Sequence, residues 1–299
     1  MSNPSNDDAV PTTLEAIKFT GGGIYFWYQA GCVKYLVSSG RKLKENVKII
    51  GSSAGSLSAT LLTLNCNIEE AAEFAIYQAH REKLFENPLG LAGVWGALVE
   101  EWLQKLIGEK SDSIIQAQSH RLYIATTPVN IFQKGTETEF LTNFTDANDL
   151  IRANMASVHI PLFMNKRFFS TYRGSKYIDG SFYPFLRGLA ANSRRSNLLI
   201  RRLDDDDEAV RISKEEGSSS VDSDNQQQLL IPASISPKRL YTLDWQRDKA
   251  FTARIGNKKL SLLRLVSPEG LYDMMESGYD FMKNECENNP DSKIDDLFW

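Results

Sequence analysis

The stretch from residue 47 to residue 57 constrains this chain more than any other, because an apolar run leads directly into Gly51-Ser52-Ser53-Ala54-Gly55. β-Branched residues precede this Gly-x-Ser-x-Gly spacing and a helix-compatible stretch follows it, which is the pattern of a nucleophile elbow. The turn in such an elbow is so tight that small residues are needed at both glycine positions. The spacing selects Ser53 as the hydroxyl that projects from the turn, and it predicts a serine hydrolase.

Strand and helix patterns alternate along the first half of the chain and become less regular in the second half. Strands are predicted at residues 16–19, 47–50, 122–127, 166–170 and 176–178, and regular structure is expected to return at 239–245. Helical spacing is found at residues 25–37, 55–64, 68–85, 89–107 and 271–285. This alternation is typical of a parallel sheet covered on both faces. We therefore predict an α/β fold with three layers, α/β/α, around a mainly parallel central sheet.

Length and composition favour one large domain. The chain has 299 residues, of which 42% are hydrophobic, and this is enough for a single α/β domain with a substantial core. We predict a disordered segment at 1–13 and a domain over 14–299. Within that domain, about 193–228 is predicted to be a mobile charged insertion, because it is rich in charge, serine and glutamine and poor in large apolar residues.

Charge, cysteine content and hydropathy limit the possible partners and location. A net charge of −4 does not favour nucleic acid, whose binding proteins usually have a basic face. The three cysteines are far apart and show neither a disulfide framework nor zinc spacing, so we predict a reducing compartment and no metal. The first eleven residues lack the apolar core of a signal peptide, and no apolar run is long enough to span a bilayer. The expectation is a cytoplasmic protein, soluble or peripherally bound to a membrane.

A serine hydroxyl needs a base within hydrogen-bond reach, and histidine is the usual one. The chain has three histidines, at positions 80, 120 and 159. In the α/β-hydrolase order, the acid and then the histidine follow the serine, so such a triad would combine Ser53 with His159. Its acid would be a residue such as Asp146 or Asp149. An α/β-hydrolase esterase that uses His159 therefore stays open as an alternative.

A carboxylate and a glycine loop are the other candidate functional groups. Asp179 ends an apolar strand piece and precedes Gly180, and α/β sheets gather their functional groups at strand ends. The loop Gly21-Gly22-Gly23 follows the first strand, and consecutive glycines allow several backbone N–H groups to point at one spot. No Gly-Lys-Ser/Thr follows, as a phosphate loop would require, so an oxyanion hole is favoured.

The glycine loop at 21–23, the elbow at 51–55 and the Asp179-Gly180 pair, in this order, resemble the patatin-like phospholipases over roughly residues 15–185. The stretch 157–163 is also similar to the family's Ser-to-Pro segment upstream of the catalytic aspartate. The resemblance implies that Ser53 is the nucleophile and Asp179 its base, in a dyad without histidine. It further implies that the oxyanion hole is formed by the N–H groups of Gly21, Gly22, Gly23 and Ala54.

Two departures from the family pattern leave the reacting groups in place. Tyr25 and Phe26 stand where many members carry a basic residue and then a glycine. In this respect the chain resembles the branch that includes animal triacylglycerol lipases. Ser181 replaces the second glycine of the common Asp-Gly-Gly.

The resemblance implies a lipid acyl hydrolase that works without a cofactor. Its substrates would be carboxylic esters of glycerolipids (phospholipid, galactolipid or triacylglycerol), met at the surface of a membrane or lipid droplet. A catalytically silent lipid-binding protein is the alternative from a different functional class. Two apolar stretches are candidates for acyl-chain binding or interfacial contact: residues 89–95 with Trp102, and Phe163-Met164 with Phe168-Phe169.

Overall fold

A computed structural model describes residues 13–87, 90–129, 138–181, 231–255 and 265–299. The predicted insertion at 193–228, and the predicted disordered segment up to residue 12, lie outside these residues. The strands found within them are β1 Ala16–Phe19, β2 Lys48–Ser52, β3 Leu122–Pro128, β4 Glu139–Leu141, β5 Ser170–Tyr172, β6 Ser175–Asp179 and β7 Leu240–Leu243. The α-helices are α1 Phe26–Ser38, α2 Ala54–Thr63, α3 Ile68–Arg81, α4 Trp95–Ile107, α5 Asp112–Ser119, α6 Ala147–Ser157, α7 Lys249–Ile255 and α8 Pro268–Glu287.

The strands form one sheet in the order β5-β6-β3-β2-β1-β7, with β4 also paired to β3. Its centre is parallel, because β7, β1, β2 and β3 run in the same direction. Strands β4 and β6 pair antiparallel with β3, and β5 pairs antiparallel with β6. The predicted α/β fold with a mainly parallel central sheet is confirmed, with antiparallel strands on the β3 side.

Burial explains why the central strands are almost continuously apolar. All four residues of β1 are buried, and so are the last four of β2. A parallel strand with helices on both faces has no solvent-facing side, so its sequence does not alternate between apolar and polar residues. Lys18 is the polar member of β1, and burial lowers its pKa to about 8.

The C-terminal helix α8 packs closely along α1. A Cβ atom on Gly31 would lie 1.8 Å from the carbonyl oxygen of Met275, and one on Gly278 would lie 1.9 Å from that of Tyr28. Two glycines therefore allow the two backbones to touch. Residues of α8 and β7 belong to the same hydrophobic core as those of α1 and α2. The single domain over 14–299 stays a prediction.

Several predicted elements differ from the observed ones. Helices α5 and α6 were not predicted, and the strand predicted at 166–170 has no regular structure before Ser170. The helix expected over 89–107 begins only at Trp95, and residues 90–94 form turns. Gly90 and Gly93 adopt φ values of 59° and 83°, which lie in the left-handed region and end any regular helix there. In the described part of the chain, no helix has both the length and the apolar composition that crossing a bilayer requires.

Candidate active site

The turn between β2 and α2 has the backbone shape of a nucleophile elbow. Ser53 sits at φ 53° and ψ −130°, a conformation that residues other than glycine rarely adopt. A Cβ atom on Gly51 would lie 2.4 Å from the carbonyl oxygen of Gly55, so the turn can close only around glycine. Strain of this kind persists where surrounding contacts fix it, often at functional sites.

Two buried serines hold Ser53 in this conformation. The backbone N–H of Ser53 donates to Oγ of Ser157 at 3.0 Å, and that hydroxyl donates to the carbonyl oxygen of Ala125 at 2.7 Å. On the other side, Oγ of Ser56 donates to the carbonyl oxygen of Ser53 at 2.7 Å. The strained residue is therefore tied to both α6 and α2.

We expect Ser157→Ala to lower the free energy of unfolding by about 1–3 kcal/mol, because it leaves the buried N–H of Ser53 without its acceptor. The elbow should also become less well defined, so any ester hydrolysis should fall. Ser119→Ala is a matched control, because this buried hydroxyl donates to a carbonyl of its own helix, that of Gln116. Urea unfolding of both variants checks the prediction, which fails if Ser157→Ala is no less stable than Ser119→Ala.

Asp179 lies beside Ser53. It is the last residue of β6 and only 2% exposed. The hydroxyl of Ser53 donates to its Oδ2 at 2.5 Å, while the backbone N–H of Ser181 donates to Oδ1 at 2.7 Å. The N–H of Asp179 donates to the carbonyl oxygen of His159 at 2.8 Å. One carboxylate oxygen thus faces the serine and the other is held by the following turn.

The Asp179-Gly180 turn packs directly against the elbow. A Cβ atom on Gly180 would lie 2.2 Å from the carbonyl oxygen of Ala125. The hydroxyls of Ser181 and Ser52 are hydrogen bonded at 2.6 Å. Ser181, one of the departures noted in the sequence, thereby links the aspartate turn to the strand that carries the elbow.

The glycine loop meets the same point. A Cβ atom on Gly21 would lie 3.2 Å from Cβ of Ser53 and 2.2 Å from Oγ of Ser181. Ala54 is the first residue of α2, where N–H groups have no partner inside the helix and the helix dipole is positive. The predicted loop, elbow and aspartate therefore converge in one place. The arrangement offers a nucleophile, a proton acceptor and backbone donors.

Comparison with known proteins identifies the family. The family model described as patatin-like phospholipase matches residues 18–187, which is more than half of the chain. The chain belongs to the patatin-like phospholipase family. The matched segment contains the glycine loop, the elbow and Asp179, so the resemblance noted in the sequence is confirmed.

Individual relatives are distant. The chain is 27% identical to the human omega-hydroxyceramide transacylase over 174 residues, which cover 58% of this chain and 31% of the relative. It is 27% identical to the human patatin-like phospholipase domain-containing protein 4 over 55% of this chain and 63% of the relative. With the human patatin-like phospholipase domain-containing protein 2 the identity is 30%, over 55% of this chain and 31% of the relative. In each case the match spans less than two thirds of the relative. Family membership supports a lipid acyl hydrolase or acyltransferase.

In this patatin-like chain, a buried glutamine that the sequence analysis did not identify supports the glycine loop. Gln29 is fully buried in α1. Its Nε2 donates to the carbonyl oxygen of Thr20 at 2.7 Å, and its Oε1 accepts from the hydroxyl of Ser58 at 3.0 Å. The side chain joins the residue before the loop to α2. The feature of the sequence that could have identified Gln29 is that it is a lone glutamine within the apolar stretch of α1.

Aromatic packing occupies the positions where many family members carry a basic residue and a glycine. Tyr25 stacks on Trp245 with ring centroids 4.0 Å apart, and burial raises its pKa. Phe26 meets Trp102 edge to face at 5.5 Å. The loop is therefore followed by residues that fix it to the core, and neither of them supplies a cation.

The ring of His159 is hydrogen bonded to a residue other than Ser53. The ring is 3% exposed, and its Nε2 donates to the carbonyl oxygen of Arg167 at 3.2 Å. Burial lowers its pKa, so the ring is neutral near pH 7. The acids proposed for a triad are engaged elsewhere: Asp149 pairs with Arg173 at 2.5 Å, and Asp146 caps α6. This geometry disfavours the His159 alternative.

A small apolar cavity of about 50 Å³ lies among helices α1, α2, α3 and α4. Its lining includes Phe26, Trp27, Leu57, Leu91, Trp95 and Trp102. Leu57, which lies one helical turn beyond Ser53, is part of this lining, whereas Ser53 and Asp179 are not. The expectation of interfacial contact is wrong for Trp102, which is 4% exposed and donates its Nε1–H to the carbonyl oxygen of Ala71 at 2.7 Å. Among the described residues, no group of three or more His, Cys, Asp or Glu side chains could hold a metal ion.

Proposed function

We propose that this chain is a lipid acyl hydrolase that cleaves carboxylic esters of glycerolipids through a dyad of Ser53 and Asp179. The observation that carries the proposal is the 2.5 Å hydrogen bond from Oγ of Ser53 to Oδ2 of Asp179 in a buried site. A serine hydroxyl becomes an effective nucleophile only when a base can accept its proton, and the carboxylate is in position to do so.

Acylation begins when Oγ of Ser53 attacks the ester carbonyl carbon and its proton passes to Asp179. The carbonyl oxygen becomes an oxyanion that accepts hydrogen bonds from N–H groups of the Gly21–Gly23 loop and of Ala54. When the tetrahedral intermediate collapses, the bond to the alcohol oxygen breaks. The alcohol takes the proton from Asp179 and leaves, and the acyl group remains on Ser53.

Deacylation repeats these steps with water. Asp179 accepts a proton from the water as its oxygen attacks the acyl carbon, and the same N–H groups stabilise the second oxyanion. Collapse breaks the bond to Ser53, which regains its proton from Asp179. The products are a fatty acid and the free enzyme.

The apolar cavity is the proposed site for the acyl chain. Each methylene that moves from water into such a cavity contributes about 0.8 kcal/mol. Phe26 and Leu57 line the cavity and follow the oxyanion loop and the nucleophile, respectively, at short distance along the chain. An ester carbonyl at Ser53 would therefore place its chain among apolar side chains.

A lipid-class panel tests the proposal. Purified wild type should release fatty acid from at least one of phospholipid, galactolipid and triacylglycerol, and Ser53→Ala should release none. Ser56→Ala is the matched control, because Ser56 is buried three residues further along but its hydroxyl only braces the elbow. It should retain measurable hydrolysis. Release of no fatty acid from any class by the wild type would favour the silent lipid-binding alternative.

Acyl transfer to an alcohol is a second candidate. Ser53 is 9% exposed and Asp179 2%, so the acyl-enzyme would form where water has limited access. The relative at 27% identity that is named omega-hydroxyceramide transacylase carries out a transfer by name. Adding a long-chain alcohol to the panel decides between the two: ester product at the expense of fatty acid identifies transfer.

A further inference from the structure

The segment between α6 and β5, residues 158–169, presents large apolar side chains to solvent. Leu162 is 53% exposed and Phe168 is 67% exposed. Met164, in the same segment, is fully buried and anchors it to the core. Exposed apolar side chains on an anchored segment have a fixed outward position, which a randomly mobile loop would not give them.

Backbone preference does not explain a leucine at position 162. Its φ is 65°, in the left-handed region that bulky residues avoid and that glycine and asparagine tolerate. The turn is closed by its N–H, which donates to the carbonyl oxygen of Arg167 at 2.9 Å. Neither backbone geometry nor burial therefore favours leucine, which points to a role for its side chain outside the fold.

The segment and the sequence around it are basic, although the chain as a whole is acidic with a net charge of −4. Between Asp149 and Asp179 the sequence has no acidic residue. Lys166 and Arg167 are exposed between the two apolar side chains, and within the described residues neither forms an ion pair with a carboxylate. Lys176 is also exposed, with its Nζ 4.3 Å from the centre of the Phe169 ring.

The segment borders the apolar cavity and the candidate dyad. The carbonyl oxygen of Phe163 accepts from the N–H of Gly93 at 2.7 Å, and that of Met164 accepts from Gly96 at 3.2 Å. Gly93 and Gly96 flank Trp95, which lines the cavity. At the other end, the carbonyl of His159 is bonded to Asp179. A surface that bound the exposed side chains of segment 158–169 would therefore lie next to the path that a lipid must take to the candidate dyad.

We propose that residues 160–169 form a docking loop for an anionic lipid bilayer. The side chains of Leu162 and Phe168 enter the acyl region, and Lys166 and Arg167 contact the phosphate-bearing headgroups. This combination of apolar and basic side chains is what binds proteins to anionic membrane surfaces. The inference rests on the proposed function only in that the bilayer is taken to hold the substrate.

Vesicle flotation of the full chain carrying Ser53→Ala measures binding without turnover. Vesicles of phosphatidylcholine mixed with phosphatidylserine should bind the protein more tightly than phosphatidylcholine alone, and added salt should weaken the binding. Each cation near such a surface changes the binding affinity by about fivefold. The double variant Lys166→Asn with Arg167→Ser should therefore bind anionic vesicles on the order of 20-fold more weakly. The double variant Leu162→Asn with Phe168→Ser should bind these vesicles about tenfold more weakly, or weaker still.

Matched controls remove similar groups elsewhere. Ile114→Asn replaces an apolar side chain that is 48% exposed on α5, and Lys42→Ser with Lys238→Ser removes two exposed cations. All should bind within about twofold of the parent. Equal binding to neutral and anionic vesicles, or equal losses in control and loop variants, would overturn the proposal. Leu162→Asn should unfold at the same temperature as the parent or higher, which separates lost docking from misfolding.

Kinetic measurements on proteins with Ser53 intact distinguish failure of the docking loop from failure of the proposed hydrolase function. The ratio of vesicle hydrolysis to hydrolysis of a water-soluble butyrate ester should fall in the loop variants. An unchanged ratio would count against the docking loop while leaving the dyad in place. A wild type that binds anionic vesicles but hydrolyses neither substrate would contradict the proposed function and leave the docking loop supported.

Discussion

Asp179→Asn is expected to lower ester hydrolysis by about a thousandfold while leaving the fold intact, because a positioned general base contributes on this scale. The amide oxygen of asparagine can still accept the 2.7 Å hydrogen bond that the N–H of Ser181 gives to Oδ1. It cannot take a proton from Ser53. The change therefore removes the basicity of residue 179 and keeps its shape.

Asp149→Asn is the matched control for that substitution. Asp149 pairs with Arg173 and accepts a hydrogen bond from the N–H of Thr145, and it is one of the candidate acids, with Asp146, of the alternative triad with His159. Because the Asp149 side chain is only 15% exposed, we expect its loss to lower stability by about 1–3 kcal/mol and to leave hydrolysis by the folded protein nearly unchanged. Rates with a soluble ester and thermal unfolding should be measured on both variants. Loss of activity in Asp149→Asn, with activity kept in Asp179→Asn, would favour the triad instead.

Gly55→Ala should have the second large effect, lowering the free energy of unfolding by about 3 kcal/mol. A Cβ atom on Gly55 would lie 2.3 Å from the carbonyl oxygen of Phe19 and 2.6 Å from that of Thr20. Both obstacles are backbone atoms, one at the end of β1 and the other in the residue between β1 and the glycine loop, so relief requires the elbow and the loop to move apart. Activity should fall together with stability.

Gly270→Ala provides the comparison, because it also places a methyl group in the first turn of a helix, α8. Its nearest neighbour would be Cγ2 of Val266 at 2.9 Å, the end of a side chain that can rotate away. We expect a change within about 1 kcal/mol, since alanine favours the helix. Denaturant unfolding of the two variants should separate them clearly. Equal stabilities would mean that the elbow and the loop are not in contact as described.

The elements that the sequence predicts best are those with the simplest environments. Strand β1 and most of β2 are buried on both faces, so their apolar runs stand out. Helix α8 was predicted over 271–285 and spans Pro268–Glu287, because its serine cap at Ser267 with Pro268 following marks an earlier start. Helix α6 was missed, because its buried face includes Asn154, whose side chain bonds to Thr60 on another helix.

The candidate site shows the same division. Gly51 to Gly55 form a local motif whose spacing alone indicates the elbow, and Asp179 could be proposed from a strand end followed by glycine. Ser157 could not be assigned a role, since it bonds to Ser53 and Ala125, which lie 104 and 32 residues away in the sequence. The support that Gln29 gives the glycine loop could not be predicted either, because it depends on how α1 packs against α2. Local spacing predicts which groups react, and only the packing shows what holds them.

The rate at which a fluorophosphonate labels Ser53, followed by mass spectrometry of the intact protein, tests the central claim most directly. Attack on phosphorus requires the serine proton to pass to its base, so labelling reports the dyad without depending on the choice of lipid. We predict rapid single labelling at Ser53 in wild type and in His159→Ala, and labelling slower by about a thousandfold in Asp179→Asn. Labelling of Asp179→Asn at the wild-type rate would contradict the account.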